Sequence, residues 1–176
     1  VFKQNQNSSL KINFYLSSID DMITKDSNTK QYVQDSKNEF IGTELEYIYL
    51  PNNQTELNFL TSYIQSRDDD GEDLADVANF LASSTLIYEF KSGFTLGSVL
   101  QYISSSKRFV GDDRDDMDDS VIFNQTLSYS FKSFISSLVV KDLFDSNRYY
   151  SLAKNVYETD FDDGGRAITL NILLEF

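Results

Sequence analysis

Carboxylates are the side chains of this sequence with the greatest scope for chemistry, and most are crowded into three short windows. The chain has 176 residues, of which 28 are Asp or Glu and 15 are Lys or Arg, so its net charge is −13. Sixteen of the 28 acidic residues lie in 67–76, 111–119 and 158–163. Carboxylate oxygens suit hard cations such as Ca²⁺. The windows therefore raise the hypothesis of a calcium site, with solvated acidic loops as the alternative.

The spacing of residues within the acidic windows favours solvated loops over a calcium site. An EF-hand arrangement around Gly71 would need carboxylates at positions 66 and 77, which are Ser66 and Val77. The run at 112–119 has acidic residues without a defined turn. We expect solvated loops that repel anionic ligands or attract cationic ones. No residue is assigned to a metal.

Paired carboxylates are the other feature that could do chemistry, since two of them can share general acid and base roles in glycosidases. The candidate pairs are Glu44 with Glu46 and Asp162 with Asp163. Residues two apart on a strand lie on the same face, and neither pair has a second partner in the sequence. We therefore predict no catalytic residue, no bound cofactor and no enzymatic activity.

Composition excludes several other classes. The chain has no His and no Cys, which excludes Cys/His zinc sites, thiol nucleophiles and triads with a histidine base. A sequence pI near 4.2 argues against nucleic acid as a partner. Apolar residues make up 40% and aromatic residues 14% of the chain, which is too rich for a disordered protein. The sequence contains no apolar run of transmembrane-helix length and no visible signal peptide; because it begins at Val1, we expect a processed or truncated product.

The apolar residues alternate with a period of two, which predicts an all-β chain. In the last segment, Ile168, Leu170, Ile172, Leu174 and Phe176 share one face. We predict eight strands near 9–19, 39–50, 55–65, 80–90, 94–106, 120–131, 134–144 and 166–176. The connections between them alternate between tight turns at 51–54, 91–93 and 132–133 and long polar loops at 20–38, 66–79, 107–119 and 145–165. This pattern predicts an antiparallel up-and-down meander with its loops at one end.

Alternation alone does not distinguish a soluble sandwich from a membrane barrel, because both have one apolar and one polar face. Charges within the strands fall on the less apolar face, as either fold requires: Lys11, Glu44, Glu46, Glu56, Glu89, Lys141 and Glu175. Gln125 is a mid-strand exception. Aromatic residues crowd the ends beside the short turns, as a membrane-interface girdle would. Strand lengths near 11 residues match the roughly 9–11 that a tilted membrane strand needs. Together these features favour an outer-membrane barrel.

The C-terminal third carries motifs with a recognisable order. Residues 140–145 read Val-Lys-Asp-Leu-Phe-Asp, a Tyr-Tyr pair follows at 149–150, and Gly165-Arg166 precedes a final strand ending in Phe176. Upstream, residues 20–23 (Asp-Asp-Met-Ile) follow a strand, and 42–46 read Gly-Thr-Glu-Leu-Glu. In order and spacing these motifs resemble the barrel of TonB-dependent outer-membrane receptors. The departures are Asp142 in place of the usual Asn and one extra residue between Asp145 and Tyr149.

This resemblance implies that the chain is the C-terminal segment, the last eight strands, of a barrel of about 22 strands whose lumen is plugged by a domain absent here. It implies active transport of a scarce solute (ferric siderophore, haem, cobalamin or similar) across the outer membrane of a Gram-negative bacterium. Partners would be outer-membrane lipid, the TonB complex acting through the plug, and a small-molecule ligand at the extracellular loops, with the short turns periplasmic. The inward Glu and Lys side chains would give the lumen its polarity and could touch the plug, and the first and last strands would be open edges. The segment alone would not transport.

Two alternatives stay open. One is a complete eight-stranded outer-membrane barrel with a structural or adhesive role, which needs bulky inward residues to fill its lumen. Several inward residues are small: Ser17, Ser62, Ser83, Gly97, Ser128 and Ser130. The other is a soluble lipocalin-like barrel with a dry interior. Loop aromatics at Tyr149, Tyr150 and Tyr157 could contact a ligand or pack within the loops.

Overall fold

The computed structural model describes residues 2–5, 7–21, 23–25, 31–34, 37–109, 112–146, 148–152 and 159–174. The regular elements of these residues are all β-strands, which confirms the predicted class. Across the same ranges we find no helix with the length and apolarity of a membrane span.

The strands follow one another as a meander. In chain order they are β1 (Phe2–Asn5), β2 (Ser8–Asp20), β3 (Ile23–Lys25), β4 (Tyr32–Gln34), β5 (Lys37–Asn52), β6 (Thr55–Arg67), β7 (Phe80–Glu89), β8 (Phe94–Ile103), β9 (Ser120–Phe131), β10 (Phe134–Lys141), β11 (Tyr149–Tyr150), β12 (Phe161–Asp162) and β13 (Ala167–Leu174). Nine of them form one antiparallel sheet in the order β1-β2-β5-β6-β7-β8-β9-β10-β13. The eight long predicted strands correspond to β2, β5 to β10 and β13, so the predicted antiparallel meander is confirmed.

Four features of the sheet differ from the prediction, and the first is that the strand predicted at 94–106 ends at Ile103. The short strand β1 pairs with β2 ahead of the first predicted strand. Two small hairpins, β3 with β4 and β11 with β12, lie within the segments predicted as the loops 20–38 and 145–165. The predicted strand at 134–144 ends earlier, at Lys141, because Asp142 has a φ of +45°, which no extended strand accommodates. Residues 175 and 176, predicted to end the last strand, lie outside the described residues.

Strand register places most of the large apolar side chains of the long strands on one face. Directly opposed residues in an antiparallel pair point to the same side. One row runs Tyr88 opposite Leu96, then Leu127, Leu138 and Leu170 on successive strands. This apolar face is not a buried core, because Phe14 on it is 81% exposed. Among the described residues, Ile122 is the one buried hydrophobic side chain.

Aromatic residues mark both ends of the apolar face. Beside the short turns, Tyr88 contacts Phe90 and Phe94 contacts Tyr129, each with ring centroids 4.6 Å apart. The sequence indicated this band. A second band lies at the loop end, where Phe80 packs against Tyr102 and Phe123 stacks on Phe144 at 5.6 Å. Phe94 is the first residue of β8 and Tyr102 its last but one, and they lie roughly 26 Å apart along the strand. The apolar face is therefore bounded by aromatic side chains at both ends.

The opposite face, which we call the mixed face, carries the strand charges. Lys11 lies opposite Glu46, and the side-chain amide of Asn13 donates a hydrogen bond of 3.1 Å to Glu44. The face is less polar than the sequence led us to expect. Leu60 and Leu173 lie on it with 48% and 52% of their surfaces exposed. Apolar side chains therefore interrupt the charges on this face of the sheet.

Gln125, the polar exception on the apolar face, is explained by its neighbours across the sheet. Its side-chain Nε2 donates to the carbonyl oxygen of Gly97 at 2.9 Å, and its Oε1 accepts a hydrogen bond of 3.1 Å from the hydroxyl of Ser98. Ser98 lies directly opposite Gln125 in the register of β8 and β9. The amide nitrogen and the amide oxygen therefore each have a protein partner, which lowers the cost of placing this polar side chain on an apolar face.

Candidate functional site

An open cleft of about 860 Å³ lies at the loop end of the sheet. Its walls come from three connections: the β6–β7 loop, the β8–β9 loop and the segment between β10 and β13. Its floor includes Leu81, Ile103 and Ser120. These residues lie on the mixed face, with Leu81 and Ser120 both opposite Ile103. The cleft therefore opens on the side of the sheet that carries the charged residues.

Arg108 ties two of these walls together. Its guanidinium group makes a bidentate contact with Asp160, with Nη1–Oδ1 and Nη2–Oδ2 distances of 2.8 and 2.7 Å. The two side chains are only 9% and 16% exposed, so water screens this pair little. Planar, bidentate pairs of this kind are among the strongest hydrogen bonds in proteins. The contact links the β8–β9 loop to the segment before β13.

Arg114 reinforces the link. Its Nη1 donates to Asp160 at 3.1 Å, its Nε donates to Asp112 at 2.9 Å, and its Nη2 donates to the carbonyl oxygen of Leu152 at 2.6 Å. Hydrogen bonds from Arg108 lower the pKa of Asp160, and hydrogen bonds from Arg114 lower the pKa of Asp112. We call Arg108, Asp112, Arg114 and Asp160 the loop clamp.

The acidic window at 67–76 is built differently. The Asp68 carboxylate accepts hydrogen bonds from the backbone N–H groups of Asp70 and Glu72, at 3.0 and 2.8 Å. Gly71 has a φ of +81°, so the window closes on itself as a turn. Among the described residues no three His, Cys, Asp or Glu side chains come together as metal ligands. Ser66, at the position where an EF-hand would need a carboxylate, is fully buried.

The paired carboxylates lie apart from the cleft and from each other. Glu44 and Glu46 lie within β5 on the mixed face, where Asn13 and Lys11 oppose them. Asp162 accepts a hydrogen bond of 2.9 Å from the backbone N–H of Gly164, which is the contact of a turn residue. The two pairs are not brought together by the fold.

Gly42 begins the motif of Glu44 and Glu46. A Cβ at this position would clash with the ring of Tyr15, so glycine lets this ring lie over the neighbouring strand.

The loop aromatics have different positions. Tyr149 and Tyr150 line the cleft. The guanidinium of Arg148 lies over the Tyr150 ring, 4.6 Å from its centroid. Tyr157 lies outside the described residues.

The motif at 140–145 forms the anchor of the segment before β13. Asp142 is buried, and its carboxylate accepts a 2.8 Å hydrogen bond from the Ser146 hydroxyl. Its left-handed conformation is one that Asn and Asp adopt more readily than most residues. The backbone N–H of Arg166 donates to the Asp145 carboxylate at 2.8 Å. Gly165 lies between them with a φ of +64°, and a Cβ there would come within 2.8 Å of the same Asp145 oxygen.

Sequence reasoning missed the loop clamp. It identified the acidic windows at 111–119 and 158–163, but Arg108 and Asp160 are 52 residues apart. The alternating pattern of the strands does not relate residues in two separate loops. Only the fold therefore shows that Arg108 and Arg114, at one acidic window, neutralise Asp160 in the other. The one available signal was the presence of arginine within an otherwise acidic run.

Comparison with known proteins finds the fold among solved structures. No protein-family model and no curated protein matches the sequence. The ferric yersiniabactin uptake receptor FyuA from Yersinia pestis has a TM-score of 0.79 and 15% identity, over 98% of this chain and 28% of that one. The pyoverdine outer membrane receptor FpvA from Pseudomonas aeruginosa has a TM-score of 0.79 and 15% identity, over 97% of this chain and 27% of that one. The copper transporter OprC has a TM-score of 0.78 and 17% identity, over 98% of this chain and 29% of that one. The chain thus spans under a third of the length of these proteins, and identities this low establish the fold alone.

Proposed function

We propose that this chain, which has the fold of part of a TonB-dependent outer-membrane receptor barrel, takes part in importing a scarce solute across a bacterial outer membrane. It would supply the last eight strands of the barrel. The solute would be a ferric siderophore, haem, cobalamin or a similar compound. No bond is made or broken: the loops bind the solute outside, and the TonB complex, acting through a plug domain in the lumen, provides the energy for release inside.

The exposed apolar face carries this proposal. A sandwich or lipocalin would bury its apolar face, whereas here Phe14 is largely exposed and the side chains of the long strands line up across the sheet. A continuous apolar surface bounded at both ends by aromatic residues is what a lipid-facing barrel wall requires. With this orientation the mixed face turns towards the lumen, and the cleft opens at its outer mouth.

The mixed face supports a plugged lumen rather than a narrow, complete barrel. Among the described residues β1 and β13 end the sheet and do not pair with each other, so the eight long strands do not close. Leu60, Leu81 and Leu173 are exposed on this face, and apolar surface of this kind favours contact with a folded domain over contact with water. A plug domain would cover these leucines and meet the charges at Glu44 and Glu46.

The fold does not select the solute. The structures with which it shares its fold include one for ferric yersiniabactin, one for pyoverdine and one for copper. The loops, where the sequences of such proteins would differ most, must make the choice. These structures are receptors and transporters, in line with the expectation that this chain is not an enzyme.

The test uses the intact protein in cells and in detergent. Cells are given candidate iron complexes, haem and cobalamin, and uptake is measured with and without an uncoupler of the proton-motive force. The purified protein is then digested by trypsin with and without the same compounds. We expect uptake of one compound to stop with the uncoupler, and the same compound to slow cleavage at the exposed Lys107. Equal cleavage rates with every compound and uptake that ignores the uncoupler would instead indicate a structural or adhesive barrel.

A further inference from the structure

Two lysines lie at the short-turn end of the sheet, in the turns that join β7 to β8 and β9 to β10. Lys91 and Lys132 are both exposed. Among the residues that the structure describes, neither lysine forms a salt bridge. Glu56 and Glu89, the carboxylates of the adjoining strand ends, lie on the mixed face together with Ile87. The positive charge of the turns is therefore not neutralised by the strands they connect.

The Lys132 side chain lies on the apolar side of the sheet. Its Nζ is 5.2 Å from the centroid of the Phe131 ring. Phe131 is opposite Phe134 at the end of the apolar face and is 56% exposed. A lysine that lies over an exposed ring keeps its stem on apolar surface and its ammonium group at the outer edge of that surface. The cation is thus placed at the level of the aromatic band.

The backbone at Lys132 offers no reason for a lysine at this position. Its φ of +52° is in the left-handed region, which Gly and Asn adopt more readily than Lys. A two-residue hairpin turn of this kind favours Asn-Gly over the Lys-Ser found at 132–133. The side chain rather than the turn therefore accounts for the lysine.

Lys91 adds a second positive charge close by. The backbone N–H of Ser130 donates to the carbonyl oxygen of Gly93 at 3.0 Å, so the two turns adjoin. They are separated by two strand spacings, about 10 Å. Phe90, next to Lys91, is 43% exposed and contacts Tyr88 in the aromatic band. Both turns thus combine an exposed ring with a cation.

We infer that this corner of the apolar face binds an anionic phospholipid, with the phosphate at Lys132 and Lys91 and the acyl chains on the apolar face. We call Phe90, Lys91, Phe131 and Lys132 the turn corner. The inference rests on the part of the proposed function that turns the apolar face to lipid, and it names the charge of the lipid partner. A zwitterionic headgroup brings its own cation and gains less from two lysines. The loop end, with its three acidic windows, would repel the same headgroup.

The experiment offers the intact protein in detergent an equimolar mixture of phosphatidylglycerol and phosphatidylethanolamine with identical acyl chains, and counts bound lipids by native mass spectrometry. We expect phosphatidylglycerol to be retained about fivefold more often, which is the effect of roughly one lysine at an anionic surface. Lys132→Asn should lower this preference to about twofold while the melting temperature stays equal or rises, because Asn suits the left-handed turn. The double variant Lys91→Gln/Lys132→Asn should abolish it.

The matched control is Lys11→Gln/Lys141→Gln, which removes the same charge from the mixed face. It should leave the preference for phosphatidylglycerol unchanged. Equal loss in the two double variants, or equal retention of both lipids by the unaltered protein, would overturn the inference. So would displacement of the lipid by excess glycerol phosphate, since the lysines would then bind any phosphate.

The outcomes separate this inference from the proposed function. A preference for phosphatidylglycerol without energised uptake of any compound would overturn import and leave the turn corner as a lipid site. Energised uptake with no preference between the lipids would do the reverse. If neither lipid is retained, the apolar face is not a lipid-facing wall, and both proposals are wrong.

Discussion

Two acidic segments of similar composition behave differently in this fold. The window at 67–76 makes its side-chain hydrogen bonds within itself, with Asp68 holding the backbone of Asp70 and Glu72, and it meets the β8–β9 loop through the backbone, where the N–H of Asp76 donates to the carbonyl oxygen of Lys107 at 2.8 Å. The window at 111–119 is joined to a distant loop, because Arg108 and Arg114 both bind Asp160. Each window contains six carboxylates, so acidic density does not explain the contrast.

The position of arginine explains it. Arg114 lies within the second window and Arg108 just before it, and their planar forks reach carboxylates of two segments at once. Arg67, at the end of β6, makes no such link to another loop among the described residues. Two aspartate-rich loops are therefore joined through their side chains where a shielded arginine bridges them.

Removal of Arg108 should have the largest effect, because it weakens the link between the β8–β9 loop and the segment before β13. In Arg108→Ala the partly buried Asp160 loses its bidentate partner, and we expect the local opening free energy to fall by about 1.5–3 kcal/mol. Hydrogen exchange of residues 148–152 and 159–163 should then be roughly 10- to 100-fold faster, with residues 68–73 unaffected. Lys107→Ala, which removes an exposed pair, is the control and should leave both segments unchanged. Equal protection in Arg108→Ala would show that the loops are held by other contacts.

Acid should release the same link, but only well below neutrality. The pKa of Asp160 and that of Asp112 are lowered by their arginines. The clamp therefore stabilises the fold at any pH above the ordinary carboxyl value of about 3.9, and its contribution disappears as the pH falls through the lowered values. Spin labels at Asp118→Cys and Asp163→Cys are practical because the chain has no other cysteine. Their separation should stay narrowly distributed from pH 7 to pH 5, and broadening in that range would contradict the assignment.

Glycine substitutions should affect the two loop regions to different extents through the backbone. Gly71 and Gly165 both have positive φ, so alanine strains either loop by about 1 kcal/mol or more. At Gly71 a Cβ meets nothing within 4 Å, whereas at Gly165 it meets the Asp145 oxygen that accepts from Arg166. We expect Gly165→Ala to be more destabilising by about 1 kcal/mol. Thermal unfolding of the two variants in the same detergent measures the difference, and equal melting temperatures would count against the Asp145 anchor.

The smallest effect should come from the window at 67–76. Asp68→Ala removes an acceptor shared by two backbone N–H groups, and these donors can turn to water. We expect exchange in residues 68–76 to rise by roughly threefold, with no change in residues 148–152. Faster exchange in the distant segment would mean that the two windows are coupled after all.

Period-two alternation was enough to predict the eight long strands and their shared apolar face, because each has several alternations to read. The short strand β1 and the hairpin arms of three residues or fewer contain too few alternating residues to be recognised. The alternation along β6 and β13 is enough to place Leu60 and Leu173 on the mixed face. That these side chains are exposed there follows only from the assembled sheet. The Gln125 exception needed the register of β8 and β9, since its partners Gly97 and Ser98 are on another strand.

The motif at 140–145 shows what local patterns do convey. Its order pointed to the fold, and the structure explains the conformation it encodes, with Asp142 and Asp145 both at positive φ. The loop clamp had no comparable signal, because the identity of Asp160 as the partner of Arg108 depends on how two loops of different length meet.

The near absence of an interior, with Ile122 as the one buried hydrophobic side chain among the described residues, has a calorimetric consequence. The heat capacity change and the denaturant dependence of unfolding both scale with the surface newly exposed to water. For this part of the molecule, the area newly exposed on unfolding depends on what covers the two faces of the sheet rather than on side chains packed within it. Its curve of stability against temperature should therefore be shallow, and should steepen with the apolar area that its surroundings cover.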